Sequence, residues 1–203
     1  MPTFLTELKK QRWDDHRYYH HCRINQSLHL LSALSFLASY VLVFTNLVAA
    51  VLIGWLAAMV SRQLGHFFFE PKGYDSVNQA SHQHKEDIKV GYNLRRKVVL
   101  LSLWGLSPLA VWLLPPPFGV DSSSASGALF LRRLCEAWLG LGVGALLFRT
   151  AQLFVQQGML TGVVWLTKIL TDPFHDVMLY WRAPLHLLRG ELIDPMDDVV
   201  RRA

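Results

Sequence analysis

The chain has 203 residues, of which 52% are hydrophobic and 17% charged, against about 25% charged in ordinary soluble domains. That balance, with a mean hydropathy of +0.24, excludes a typical soluble domain and points to a single integral membrane domain. The net charge of +5 sits on basic residues that flank apolar runs, which fits membrane topology and not a nucleic-acid patch, and Cys22 and Cys135 form no CxxC pair that would hold a redox couple or a thiolate zinc.

Residues 1–23 are charged and aromatic, with a partial helical stripe from Leu5, Leu8, Trp13 and the tyrosines. They predict a short amphipathic segment at the membrane interface and contain no secretory signal. Residues 24–66 carry an uncharged apolar run, Leu30 to Val60. A membrane-crossing helix needs about 20 residues, so the stretch is too long for one span, and two arms of about that length form if Asn25, Ser27 and His29 lie at one mouth and Ser61, Arg62, Gln63 and His66 at the same mouth. Thr45-Asn46 is its clearest polar break and predicts the turn of a first hairpin. Residues 67–97 are polar, and Ser76 to Val90 predict a helix lying on the membrane surface, after a turn marked by Pro71 and Gly73.

Residues 98–155 predict a second hairpin. Its first arm runs from Val98 to Leu114, with Pro108 inside, and its second from Leu134 to Phe154, with Gly140, Gly142 and Gly144 suited to close helix packing. Between them lies a Pro- and Ser-rich loop. Residues 156–203 predict an interfacial helix over Met159–Leu170, then a structural turn at Asp172-Pro173-Phe174-His175-Asp176 and a charged tail. The expected fold is all-α and polytopic, about four transmembrane helices arranged as two hairpins, with interfacial helices.

Basic residues collect on the cytoplasmic side of membranes. Five precede the first span (Lys9, Lys10, Arg12, Arg17, Arg23), seven lie in the middle segment and six in the last, whereas only Arg132 and Arg133 fall opposite. Both termini are therefore expected in the cytoplasm, in a bacterial inner membrane or an endoplasmic reticulum. All nine histidines then fall on that side or at its interface.

This gathers imidazoles from distant positions. His20 and His21 precede the first arm, His29 lies near its start, and His66 returns at the end of the second. His21 and His29 are eight residues apart, about 12 Å on a continuous helix, so sharing one metal requires a break near Arg23–Asn25. His82 and His84 are candidates to close the site from the middle segment. Glu70 is a candidate to ligate, to orient a histidine or to cap a turn, and Asn25 to hydrogen-bond nearby. Phe67-Phe68-Phe69 would anchor at the interface or line an acyl channel. An imidazole-rich site suits iron, copper or zinc.

The pattern Tyr19-His20-His21-x3-Asn25-x3-His29, followed after a hydrophobic hairpin by Gly65-His66-x3-Glu70, resembles the family of the yeast 2-hydroxy fatty acid dioxygenase. The resemblance covers about residues 18–71. It implies a membrane enzyme that uses Fe(II) and O2, without 2-oxoglutarate, to shorten a 2-hydroxy fatty acid by one carbon in phytosphingosine breakdown. It further implies His20 or His21, His29 and His66 as iron ligands, with Glu70 and Asn25 supporting catalysis. Two other readings stand beside it. One is a non-catalytic membrane scaffold or small transport component. The other is a di-iron lipid hydroxylase, whose trio of HxxxH and HxxHH boxes is represented only by His16-x3-His20.

Overall fold

The structure is a computed structural model that describes residues 3–70, 73–91, 94–116, 118–120 and 126–195. Within them the chain is helical, without named strands. Helix α1 spans Phe4–Tyr19, started by Thr3, whose hydroxyl accepts from the Thr6 amide. Helix α2 spans Arg23–Leu42 and has no side-chain cap; its Arg23 amide instead donates to the Leu192 carbonyl at 2.8 Å, which satisfies an otherwise orphaned helix-start donor.

Helix α3 is one rod, Leu47–Phe69, capped by Asn46, whose side chain accepts from the Ala49 amide. It contains two π-helical stretches, Ile53–Met59 and Gly65–Phe69. Helices α2 and α3 run antiparallel: Ser39 Oγ donates to the Ala50 carbonyl at 2.8 Å, while Asn25 meets Gly65 at the other end. The turn falls at Val43–Asn46, as the polar break predicts. Helix α4 (His82–Ile88), α5 (Leu94–Leu113), α6 (Gly127–Gln157), α7 (Met159–Tyr180) and α8 (Ala183–Leu188) complete the order. Helices α5 and α6 form a second antiparallel pair, joined where Trp138 Nε1 donates to Ser107 Oγ at 2.7 Å. Only Gly158, with φ of 91°, separates α6 from α7, a conformation that L side chains resist.

Among the described residues three helices are long and apolar enough to cross a membrane: Leu47–Phe69, Arg96–Leu113 and Gly127–Gln157. Only 6% of the Arg96–Leu113 span is buried by protein, and Leu103, Leu106, Leu109 and Leu113 are exposed. An apolar face that large needs a lipid or protein cover. Helix α2 is not in this set, because Asn25, Gln26, His29 and Ser32 are polar and buried along it.

Three local expectations change. The surface helix expected over Ser76–Val90 shortens to His82–Ile88, because the Asp75 carboxylate accepts from the Val77 and Asn78 amides and holds that stretch as a turn, a competition usual for Asp. The expected turn at Asp172–Asp176 is instead inside α7, which continues through Pro173. The last arm is longer than expected, Gly127–Gln157. Pro71, and residues 121–125 of the expected Ser-rich loop, lie outside the described residues.

The apolar core sits between α3, α5 and α6. Val51, Trp55, Val111, Leu134, Cys135 and Trp138 are buried together, and Trp55 stacks on Trp104 with ring centroids 5.7 Å apart.

Candidate metal centre

Three elements bring three imidazoles together. His20 sits in the break between α1 and α2, His29 is two turns into α2, and His66 is on the second π-helical stretch of α3. One ring nitrogen from each lies within 4.8 Å of the others. Ring centroids are 4.0 Å apart for His20 and His29, 5.0 Å for His29 and His66, and 5.2 Å for His20 and His66. A π-helical stretch shifts side-chain register locally and is frequent at functional sites; here it carries His66 to α2.

Gly65 makes that approach possible. A Cβ at this position would lie 2.1 Å from Asn25 Oδ1 and 3.4 Å from the His29 ring. Asn25 is buried and donates to the Tyr19 carbonyl at 2.7 Å, tying α2 to the break that carries His20. The break is held from outside as well. Leu192 and Asp194 pair with it through Arg23 N to Leu192 O and Asp194 N to His21 O, both 2.8 Å, and Asp194 takes Arg23 at 2.9 Å and Gln26 at 2.8 Å. The C-terminal strand-like strap therefore fixes His20.

The donor atoms fit a metal. His29 is fully buried, and neither of its ring nitrogens has a hydrogen-bond partner among the described residues; the same holds for His20 Nε2. An unpartnered buried donor or acceptor costs about 1–3 kcal/mol. Burial, then the neighbouring His29, holds the His20 imidazole well below its usual pKa, so at neutral pH it keeps the lone pair that a metal requires. His66 Nδ1 lies 2.7 Å from Glu70 Oε2. The ring donates there, which leaves the lone pair on Nε2. Glu70 thus orients His66, and Lys89 holds Glu70 in turn at 2.9 Å.

Other predicted residues lie elsewhere. His21 turns away, with Nδ1 3.3 Å from the Arg17 carbonyl and 3.7 Å from Asp75. His82 and His84 are exposed on α4, where His84 meets only the edge of Tyr18 at 6.0 Å. The expected helix break at Arg23–Asn25 falls slightly earlier, at His20–Cys22.

Helix α7 supplies further polar residues, two of them, Asp172 and Asp176, from the stretch expected to turn. Lys168, Asp172, Asp176 and Tyr180 recur every four residues, share one face and are all buried. Asp176 Oδ2 lies 3.8 Å from His29 Nδ1 and 3.5 Å from Arg62. Lys168 joins Asp15 at 2.5 Å and Asp172 at 2.8 Å. Burial alone would raise the Asp15 carboxyl, but Lys168 overrides it and holds Asp15 below the ordinary carboxylate range. The four-residue polar stripe within an apolar helix was the signal available for them.

A cavity of about 710 Å³ opens beside His66, inside the about 300–1,000 Å³ range of small-molecule sites. Asp15, Arg62, Lys97 and Lys168 line its polar end; Val43, Val51, Trp55, Leu139 and Leu146 line the rest. Comparison with family models, curated proteins and solved structures finds no match to this chain. Its chemistry is read from the site itself.

Proposed function

We propose that the protein is a membrane Fe(II)-dependent dioxygenase that shortens a 2-hydroxy fatty acid, or a related acyl lipid, by one carbon. The observation that carries the proposal is the buried triad of His20, His29 and His66, one member of which, His66, lines a cavity that carries charged residues of both signs at one end and is apolar along much of the rest. The residue pattern over 18–71, with its resemblance to the yeast 2-hydroxy fatty acid dioxygenase family, supports the choice of metal and substrate. On this reading His20, His29 and His66 hold the iron, whose contribution is redox chemistry with O2 and Lewis-acid polarisation of the substrate oxygens. Glu70 fixes the His66 tautomer, Asp176 faces His29, and Asn25 sets the distance between the break and α2. The apolar wall excludes water from the acyl chain.

The reaction that balances is R–CH(OH)–COOH + O2 giving R–COOH + CO2 + H2O, in which the substrate loses four electrons and O2 accepts them. In this arrangement α2, with exposed Leu31, Leu34 and Val41, is the fourth span, paired with α3 as the first hairpin and α5 with α6 as the second. The triad then lies at the cytoplasmic face of a bacterial inner membrane or an endoplasmic reticulum, as the basic residues direct. Three imidazoles gather here among the described residues, which supports one iron over the di-iron reading.

The test supplies the Fe(II)-loaded protein with 2-hydroxyhexadecanoic acid under limiting O2. The proposal expects O2 uptake matched by pentadecanoic acid and CO2. Absence of both products from an iron-loaded sample would leave the scaffold or transport reading standing.

A further inference from the structure

The cations at the polar end of the cavity differ in their partners. Lys168 is held between Asp15 and Asp172. Arg62 faces Asp176 at 3.5 Å. Lys89, near the cavity's edge, is shared between Glu70 at 2.9 Å and Glu86 at 3.4 Å. Lys97 lines the same cavity and makes no ion pair or hydrogen bond among the described residues. It stands in the first turn of α5, close enough to Glu70, Asp15, Lys89 and Arg62 to feel their charges. Its own charge acts on His66 and His29, which places it on the triad's side of the cavity.

A lysine at the end of a membrane span ordinarily extends its ammonium into water while its stem covers apolar surface. Lys97 instead is half-buried against a half-open cavity, where Glu70 and Asp15, the carboxylates whose charges it feels, are already paired with Lys89 and Lys168. An ammonium taken out of water without a partner is costly, and an anion entering the cavity would remove that cost. The wall beyond it, at Val51, Trp55 and Leu146, is apolar and carries no charge, so the entering molecule has one anionic end and one hydrocarbon end. The cavity's volume suits one chain.

We propose that Lys97 selects the head group: it pairs with the carboxylate of a single-chain acyl amphiphile whose tail lies along the Val51–Trp55–Leu146 wall. This deepens the proposed function and rests on its reading of the cavity as the substrate site, but it does not depend on iron. Lys97 sets specificity for an acid over a neutral lipid of equal length, and Arg62 remains with Asp176 and His29.

The test measures binding of hexadecanoic acid and of hexadecanol to the full chain in phosphatidylcholine nanodiscs, with and without Fe(II). The wild type is expected to prefer the acid. Lys97→Met is expected to weaken the acid by about tenfold or more, the order of one lost charged hydrogen bond, and to leave the alcohol within about twofold, well under one such bond. Lys97→Arg, which keeps the charge, is expected to retain the preference for the acid. Equal binding of acid and alcohol by the wild type overturns the proposal. So does a Lys97→Met protein that keeps its acid affinity, or one that loses acid and alcohol alike. Iron content read on the same samples separates the two claims: selective acid binding without iron uptake would sink the dioxygenase and leave this site standing.

Discussion

The two ends of the helix bundle bury opposite chemistry. Around Trp138 the interior is tryptophan, valine, leucine and cysteine, and the polar atoms are few: Trp55 Nε1 donates to the Trp138 carbonyl and Trp138 Nε1 to Ser107, and Trp104 Nε1 alone of the three indoles has no partner among the described residues. Around His29 the buried residues are histidine, asparagine, glutamine, serine, lysine and aspartate, and several of their atoms have no partner among the described residues. The first arrangement is what packing favours. The second is costly, since buried charges and unpartnered dipoles rarely stabilise a fold beyond what apolar residues of the same volume would. The difference teaches that the Trp138 end is packed to hold the protein together, whereas the His29 end buries polar groups that packing alone does not favour, which is why the proposed metal site is put there.

The comparison can be broken by exchanging the expected consequences. Trp138→Ala should have the largest effect on stability, about 3–5 kcal/mol, while the folded fraction keeps its full iron content. Denaturation followed by metal analysis of the folded peak checks this, and loss of iron in proportion to nothing but the substitution would merge the two ends into one.

Next is the pH dependence at the polar end. Burial lowers the His16 pKa from 6.5 to about 4, with Nδ1 3.1 Å from the Tyr180 hydroxyl. The folded chain keeps this ring neutral while the unfolded chain protonates it near 6.5. Its contribution is therefore complete above about pH 6.5 and is lost as the pH falls toward about 4, on the order of 3 kcal/mol in full. His16→Gln should flatten the stability profile across that window, measured as the denaturation midpoint at each pH. An unchanged slope would place His16 in a solvated setting.

Glu70→Gln should weaken iron binding about 10- to 100-fold, the usual effect of removing the carboxylate that orients a metal-bound histidine, with little change in folding. A competition titration with a chelator of known strength gives the ratio. The smallest effect belongs to His82→Ala and His84→Ala. Both rings are exposed, so stability should stay within about 0.5 kcal/mol and iron content should not change. A drop in iron for either would return α4 to the site.

The sequence carried the triad further than it carried its surroundings. A hairpin with one polar break returns His66 to His29, and Gly65 before His66 permits the contact; both follow from spacing and residue size. The choice between His20 and His21 did not, because local spacing is nearly the same for each. His82 and His84 are candidates because topology puts the middle segment on the same face as the other histidines, whereas the Asp75 turn leaves them exposed on α4. Asp176, Tyr180 and Lys168 were hidden by Asp172-Pro173, a dipeptide that normally ends a helix; here α7 continues through it, packed against α2 and α6. The strap at Leu192–Asp194 depends on contacts more than 160 residues apart in sequence, which no local pattern carries. The four-residue recurrence of Lys168, Asp172, Asp176 and Tyr180 is present in the sequence, but a proline within it masks the helix that gives it meaning.

The central claim is that His20, His29 and His66 form one metal site. The most direct measurement is iron per chain in the purified protein after anaerobic loading with Fe(II) and removal of loosely bound metal, for the wild type and for His29→Ala. The account predicts about one iron per wild-type chain, as a single cluster of imidazoles implies, and close to none in His29→Ala with the helical content unchanged. A wild type that retains no transition metal, or a His29→Ala protein that retains as much as the wild type, would contradict it.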